Sequence, residues 1–214
     1  MSKGAAVCLL MVMGLAAPSV AQAGVITLDA GPLHSANYLP GQVGPGRGFG
    51  FLADETFTLS AVALDLMVVV GDGTLYQFEV FGSTNGHAAD GGLLASSAPF
   101  TLAAGTGYQD RSLSFTFNAN SFYVVNFSRV DNADFGSNIG AHYSVETSFL
   151  PHDYGMLTML EGFLGANAEV PSNSLIPHAR MTFDTAVTPV PEPASLSLAA
   201  VGLAILARRR RRVR

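Results

Sequence analysis

Between residues 61 and 80 the chain alternates with a period of two. Val62, Leu64, Leu66, Val68 and Val70 interleave with Ala61, Ala63, Asp65, Met67 and Val69, and Tyr76, Phe78 and Val80 then interleave with Gln77 and Glu79. Successive side chains of a strand point to opposite faces, so this period selects β structure over an amphipathic helix. Gly71-Asp72-Gly73 separates the two runs, and such a turn between β-patterned runs reads as a hairpin. Further strands are expected at Leu93-Leu94-Ala95-Ser96-Ser97 before Pro99, at Leu113, Phe115 and Phe117, and at Tyr123, Val125 and Phe127. Weaker candidates are His142 to Thr147 and Pro177 to Asp184, and only MLTMLEGFL (Met156 to Leu164) has a helical look. Many short strands broken by Gly, Asn, Asp and Pro turns predict an all-β fold, an antiparallel β-sandwich or jelly roll.

The two ends are patterned differently. MSKGAAVCLLMVMGLAAPSVAQA has one lysine, Lys3, an uncharged stretch from Gly4 to Ala17, Pro18, and then Ala21-Gln22-Ala23. This is the layout of a secretory signal with an A-x-A cleavage site, so signal peptidase is the expected partner and Gly24 the expected mature start. Cys8 follows Val7, not the small residue that precedes a lipoprotein cysteine, so lipidation is not expected. At the other end, Pro191 and Pro193 flank Glu192 and make Val190 to Pro193 a stiff, extended lead-in. Residues 194–207 are uncharged and small or apolar. As a helix they would rise about 21 Å, at about 1.5 Å per residue. A hydrocarbon core of about 30 Å asks for about 20 apolar residues, so the segment is a marginal span and a poor permanent anchor. Arg208, Arg209, Arg210, Arg211 and Arg212, with Arg214, should remain cytoplasmic by the positive-inside bias.

Val190-Pro191-Glu192-Pro193, the apolar segment and the terminal arginines, in that order and spacing, resemble the PEP-CTERM sorting signal of Gram-negative bacteria. In that family the tail is a temporary membrane stop recognised by an intramembrane cysteine protease, exosortase, which cuts near the motif. The resemblance implies export across the inner membrane, transient anchoring, and delivery to the cell surface or extracellular matrix. It gives three parts: a signal peptide (1–23), a β-sandwich body (24–189) and a sorting signal (190–214). Residues 57–129 also resemble the jelly-roll modules of secreted bacterial proteins, through GGLLAS and FYVVNF. Neither resemblance assigns an activity to the body.

Charge narrows the body's partners. Residues 24–189 carry four arginines, no lysine and 15 Asp and Glu, a formal charge of −11 with histidine neutral. Such a surface repels nucleic acid and anionic membrane. The single cysteine, Cys8, lies in the signal, so the mature body has neither a disulfide nor a thiol nucleophile and must rely on its core.

The body lacks H-E-x-x-H, G-x-S-x-G, P-loop and dinucleotide-binding patterns. Asp54 and Glu55 are adjacent and would face opposite sides of a strand; Glu79 and Asp110 are a pair that folding could bring together for two-carboxyl chemistry. His34, His87, His142, His152 and His178 are too far apart in sequence for a zinc pattern and read as loop residues. Asp131, Asn132, Asp134 and Asn138 crowd one loop, and oxygen-rich loops of this kind can bind calcium. Asp and Asn favour turns for local hydrogen-bonding reasons too, so turn chemistry explains the same residues. Tyr38, Tyr108, Tyr143 and Tyr154 are the candidate sugar-stacking faces, weakened by the absence of Trp. The expected role is non-enzymatic, as a surface or matrix component. The alternative is a carbohydrate-binding module for extracellular polysaccharide, with or without calcium.

Overall fold

A computed structural model describes residues 22–29, 31, 34–37, 46–71, 73–135, 139–144, 149–165, 168, 170–171 and 176–185. Fifteen strands are found among them: β1 (Gln22–Leu28), β2 (His34–Asn37), β3 (Gly46–Ala53), β4 (Phe57–Val68), β5 (Tyr76–Ser83), β6 (Leu93–Ser96), β7 (Gly105–Tyr108) and β8 (Arg111–Phe117) come first. They are followed by β9 (Ser121–Arg129), β10 (Ile139–Ser144), β11 (His152–Asp153), β12 (Leu157–Leu164), β13 (Val170–Pro171), β14 (Ile176–Pro177) and β15 (Ala179–Thr185). The body is all-β, as its period-two patterning requires.

The strands form two antiparallel sheets. The first runs β1-β15-β4-β10-β14, with β2 on β10 and both β7 and β8 on β4. The second runs β11-β12-β3-β9-β5-β6, with β13 on β12. Both contribute to one apolar cluster: Leu59, Val62, Leu64, Met181 and Phe183 from the first, and Phe49, Phe51, Phe78, Val125 and Phe127 from the second. This shared core fits the jelly-roll-like body. Aromatic rings knit it. Phe51 of the second sheet meets Phe117 of the first edge-on at 5.1 Å, and Phe127 lies 5.2 Å from Phe78 and 5.3 Å from both Tyr76 and Phe135. Each fully buried ring of this size contributes about 1.5–3 kcal/mol by removal from water, which is how a body without disulfides holds together.

Two sequence expectations are corrected. Residues 61–80 do not form a hairpin: β4 belongs to the first sheet and β5 to the second, so the chain crosses between sheets after Val70. Both edges of β4 are already taken, by β15 and β10 on one side and by β8 and β7 on the other. Met156 to Leu164 is not helical but contains β12, paired with β3 and β11. Leu157 and Met159 are fully buried, and after a bulge between Met159 and Glu161 the alternation resumes with Phe163. Sheet pairing outweighs the helix propensity of Leu, Met and Glu, which is only tenths of a kcal/mol per residue.

β3, GRGFGFLA, is a strand that hydrophobic alternation alone does not mark. Phe49 and Phe51 face the core, while Gly50 lies where a Cβ would strike the Gly86 carbonyl oxygen and come within 2.8 Å of the Phe163 ring. The glycine lets the segment around Gly86 pack directly on sheet backbone.

Candidate functional site

The sorting residues Val190, Pro191, Glu192 and Pro193 and the arginines Arg208 to Arg212 lie outside the described residues, as does Ala21. Ala23 and Gly24 fall in β1, where they stand opposite Asp184 and Phe183. Among the described residues no helix is long and apolar enough to cross a membrane.

The loop nominated for calcium is organised by an arginine. Arg129 donates to Asp131 from Nε at 2.9 Å and from Nη2 at 2.6 Å, and its Nη1 donates to the Asp134 carbonyl at 2.9 Å. The Ala133 N–H donates to the same Asp131 carboxylate at 3.1 Å, and Asn132 takes a left-handed turn conformation with φ of 56°. The Arg129 guanidinium holds the Asp131 carboxyl below the usual carboxylate range. A calcium ion would have to displace Arg129 to use Asp131. Among the described residues no group of three or more His, Cys, Asp or Glu side chains is arranged to hold a metal. Beside this loop, Gly73, Thr74, Leu75, Arg129, Val130 and Asp131 line an open depression of about 410 Å³.

The densest polar arrangement lies elsewhere, where the first sheet forks. One edge of β4 pairs with β15 up to Leu64 and with β10 from Leu66, so Asp65 sits at the change of partner. His178 fills the gap. Its carbonyl accepts from the Asp65 N–H at 2.9 Å, and its N–H donates to the His142 carbonyl at 3.1 Å. The side chains converge too. His142 Nδ1 lies 2.8 Å from Asp65 Oδ2, with the two side chains only 13% and 14% exposed. The nitrogen is close but poorly aligned for a hydrogen bond. Asp65 Oδ1 and His178 Nε2 are buried with no hydrogen-bond partner in the protein. Burial holds the His178 imidazole below its usual range, with His142 acting the same way and the Asp29 and Asp65 charges opposing.

Tyr108 stands opposite Asp65 in β7, and burial together with the Asp65 and Asp29 charges pushes its phenol up to about 12. Arg180 lies over that ring, 4.7 Å from its centroid, and grips Asp110 with two guanidinium nitrogens. The fork is thus a carboxylate and two imidazoles ringed by Tyr108, Arg180 and Asp29. Sequence spacing hid it, because Asp65, His142 and His178 are far apart along the chain and meet only through strand pairing. It also corrects the reading of the histidines as loop residues: His34, His142 and His152 lie in strands, and His178 links β14 to β15. Only His87 is in a loop, 3.1 Å from Glu161.

The proposed pair Glu79 and Asp110 is not brought together. Glu79 is in the second sheet, where Ser128 donates to it at 2.9 Å and Gln77 at 3.0 Å; Asp110 is bound to Arg180 beside the first. Burial raises the Glu79 carboxyl above its usual range against these hydrogen bonds. Glu79 and Glu161, the buried acids of the second sheet, have β9 and β3 between their strands. Three strand spacings put them about 14 Å apart, beyond the roughly 9.5 Å upper limit of glycosidase carboxyl pairs. Among the tyrosines, Tyr108 is covered by Arg180, Tyr154 packs 4.5 Å from His152, Tyr143 is half-buried in β10, and Tyr38 lies outside the described residues.

Residues 189–212 match the family described as the PEP-CTERM protein-sorting motif. No curated protein matches the chain. Solved structures similar to parts of it include that of the infectious bursal disease virus Gx strain, at 13% identity and a TM-score of 0.31, covering 86% of this chain and 43% of that one. A second is the infectious bursal disease virus VP2 subviral particle, at 11% identity and a TM-score of 0.32, covering 87% of this chain and 49% of that one. The chain spans less than half the length of either, and likeness this low carries no argument.

Proposed function

Because the chain carries the PEP-CTERM sorting motif and is therefore an exosortase-targeted export protein, we propose that its body is a non-enzymatic component of the cell surface or extracellular matrix. Signal peptidase cuts before Gly24, the apolar segment 194–207 lodges briefly in the inner membrane, and exosortase cuts near Pro191 to Pro193. The observation that carries this reading is the motif itself, beginning four residues after β15 ends. Arg180 covers one face of Tyr108 and Tyr154 packs against His152, which favours a surface component over a carbohydrate-binding module.

The test uses the parts of the tail separately, in the producing bacterium. Changing Arg208 to Arg212 to glutamate should weaken the stop and let uncut chain reach the periplasm. Changing Pro191 and Pro193 to alanine should leave insertion intact and block the cut, because the lead-in can then continue as helix. Fractionation and blotting read both. A proline variant cut and released like the parent would make the tail a plain anchor.

A further inference from the structure

β10 carries a small sub-sheet of its own. It pairs with β2 along Gly140 to Tyr143 and with β14 at Tyr143 and Ser144, and among the described residues these two strands pair with β10 alone. Ile139, Ala141 and Ile176 anchor it in the core. Its pairing to the rest of the first sheet is short: Ile139, Gly140 and Ala141 stand opposite Val68, Met67 and Leu66 of β4. His178 then closes the seam. Its carbonyl accepts from the Asp65 N–H on β4 and its N–H donates to the His142 carbonyl on β10, so one residue's backbone clasps both sides. The residue is only 5% exposed, and its Nε2 has no hydrogen-bond partner in the protein.

A proton on this imidazole puts a charge where little offsets it. The Asp65 carboxylate on β4 already faces His142 Nδ1 on β10 at 2.8 Å, and its Oδ1, like His178 Nε2, lacks a partner. Burial opposes the proton most and His142 opposes it too, while Asp29, just beyond β1, and Asp65 favour it. Arg180 on β15 draws on the Asp65 charge as well, and Tyr108 on β7 stays uncharged, its phenol pushed up to about 12. We propose that the fork is a pH-sensitive seam: in mildly acidic medium His178 gains a proton, its backbone clasp opens, and β10 with β2 and β14 parts from β4 while the second sheet stays paired. Opening of this kind is local, since the pairs of β9 with β3 and with β5 share no residue with the seam. Its sign follows from linkage. Once the seam is open, His178 regains its ordinary value of about 6.5, so the open form binds the extra proton below that pH. Lowering the pH from about 7.5 to about 5.5 therefore multiplies opening by about ten, until the closed form also protonates.

Hydrogen exchange read by mass spectrometry tests the seam on the protein from the producing bacterium, at about pH 7.5 and about pH 5.5. Labelling times are corrected for the intrinsic pH dependence of exchange. Peptides covering β10 and residues 176–180 report the seam, and peptides covering β5 and β9 report the second sheet. Protection at the seam should fall about tenfold at the lower pH. Protection of β5 and β9 should not fall, since the buried Glu79 there takes a proton more readily than usual. In His178→Gln, which keeps the backbone clasp but cannot titrate, the fall at the seam should vanish. Seam protection unchanged between the two pH values would overturn the proposal. So would an equal fall in β5 and β9, which marks loosening of the whole body, or a fall that persists in His178→Gln, which assigns the proton elsewhere. If His178→Gln does not fold, the parent's comparison of the seam with the second sheet decides the matter by itself.

Discussion

Replacing His142 by alanine tests whether the fork of the first sheet holds β4 and β10 together. Asp65 Oδ1 already lacks a partner, and His142 is the group 2.8 Å from Oδ2. The substitution takes the nearest polar side chain from a carboxyl group that is only 14% exposed. Taking the neighbouring polar group from a buried polar atom costs about 1–3 kcal/mol, and the orphaned Oδ1 of Asp65 places this case at the upper end, about 2–3 kcal/mol. For a domain of this size 1 kcal/mol moves Tm by about 2–4 °C, so a fall of about 4–12 °C is expected. Far-ultraviolet circular dichroism on heating, with urea titration for the free energy, measures it. His87→Ala is the control: His87 is half exposed beside Glu161, and its loss should cost no more than about 1 kcal/mol. Replacing Asp65 and His142 together by leucine removes both polar groups and should recover most of the loss. If His142→Ala melts no lower than His87→Ala, the fork is not held by this pair.

Three further outcomes are expected. His178 titrates lower in the folded state than in the unfolded chain, so below about pH 6.5 the unfolded state binds more protons and stability falls with pH until the folded group also protonates. Glu79 acts with the opposite sign in acid, so the readout is the difference between parent and His178→Gln denaturation curves from pH 8 to 5; a pH-independent difference would refute the assignment. Gly50→Ala should destabilise by about 1–3 kcal/mol by driving a methyl group into the Gly86 carbonyl, and an unchanged urea midpoint would show that this packing is loose. Because Arg129 occupies Asp131, millimolar calcium and chelator should give the same Tm; ligation at about 100 times Kd would add about 2.7 kcal/mol and raise it visibly.

The β character of the body was legible because period-two alternation in β4, β5, β8 and β9 reports a strand with one buried face. Pairing was not. Gly71 and Gly73 mark a change of direction, but which sheet receives β5 depends on the edges β4 has free, and those are filled by strands distant in sequence. β3 hides because Gly46, Gly48 and Gly50 occupy its outer positions, and hydropathy reads glycine as loop where packing needs an absent side chain. The sorting tail was legible residue by residue, since stiffness, apolar length and charge are local properties of the chain. The fork was not, since Asp65, His142 and His178 carry no common spacing and acquire their meaning from register. A signal was nonetheless present: Asp65 is a charged residue within the longest alternating run, flanked by Leu64 and Leu66. A buried carboxylate in such a place needs a partner.

Intact mass spectrometry of the protein recovered from outside the producing cells decides whether the tail is cut away during export. The expected chain begins at Gly24 and ends close to Pro193, with the apolar segment and every tail arginine gone. An extracellular chain that still carries Arg208 to Arg214 would contradict it.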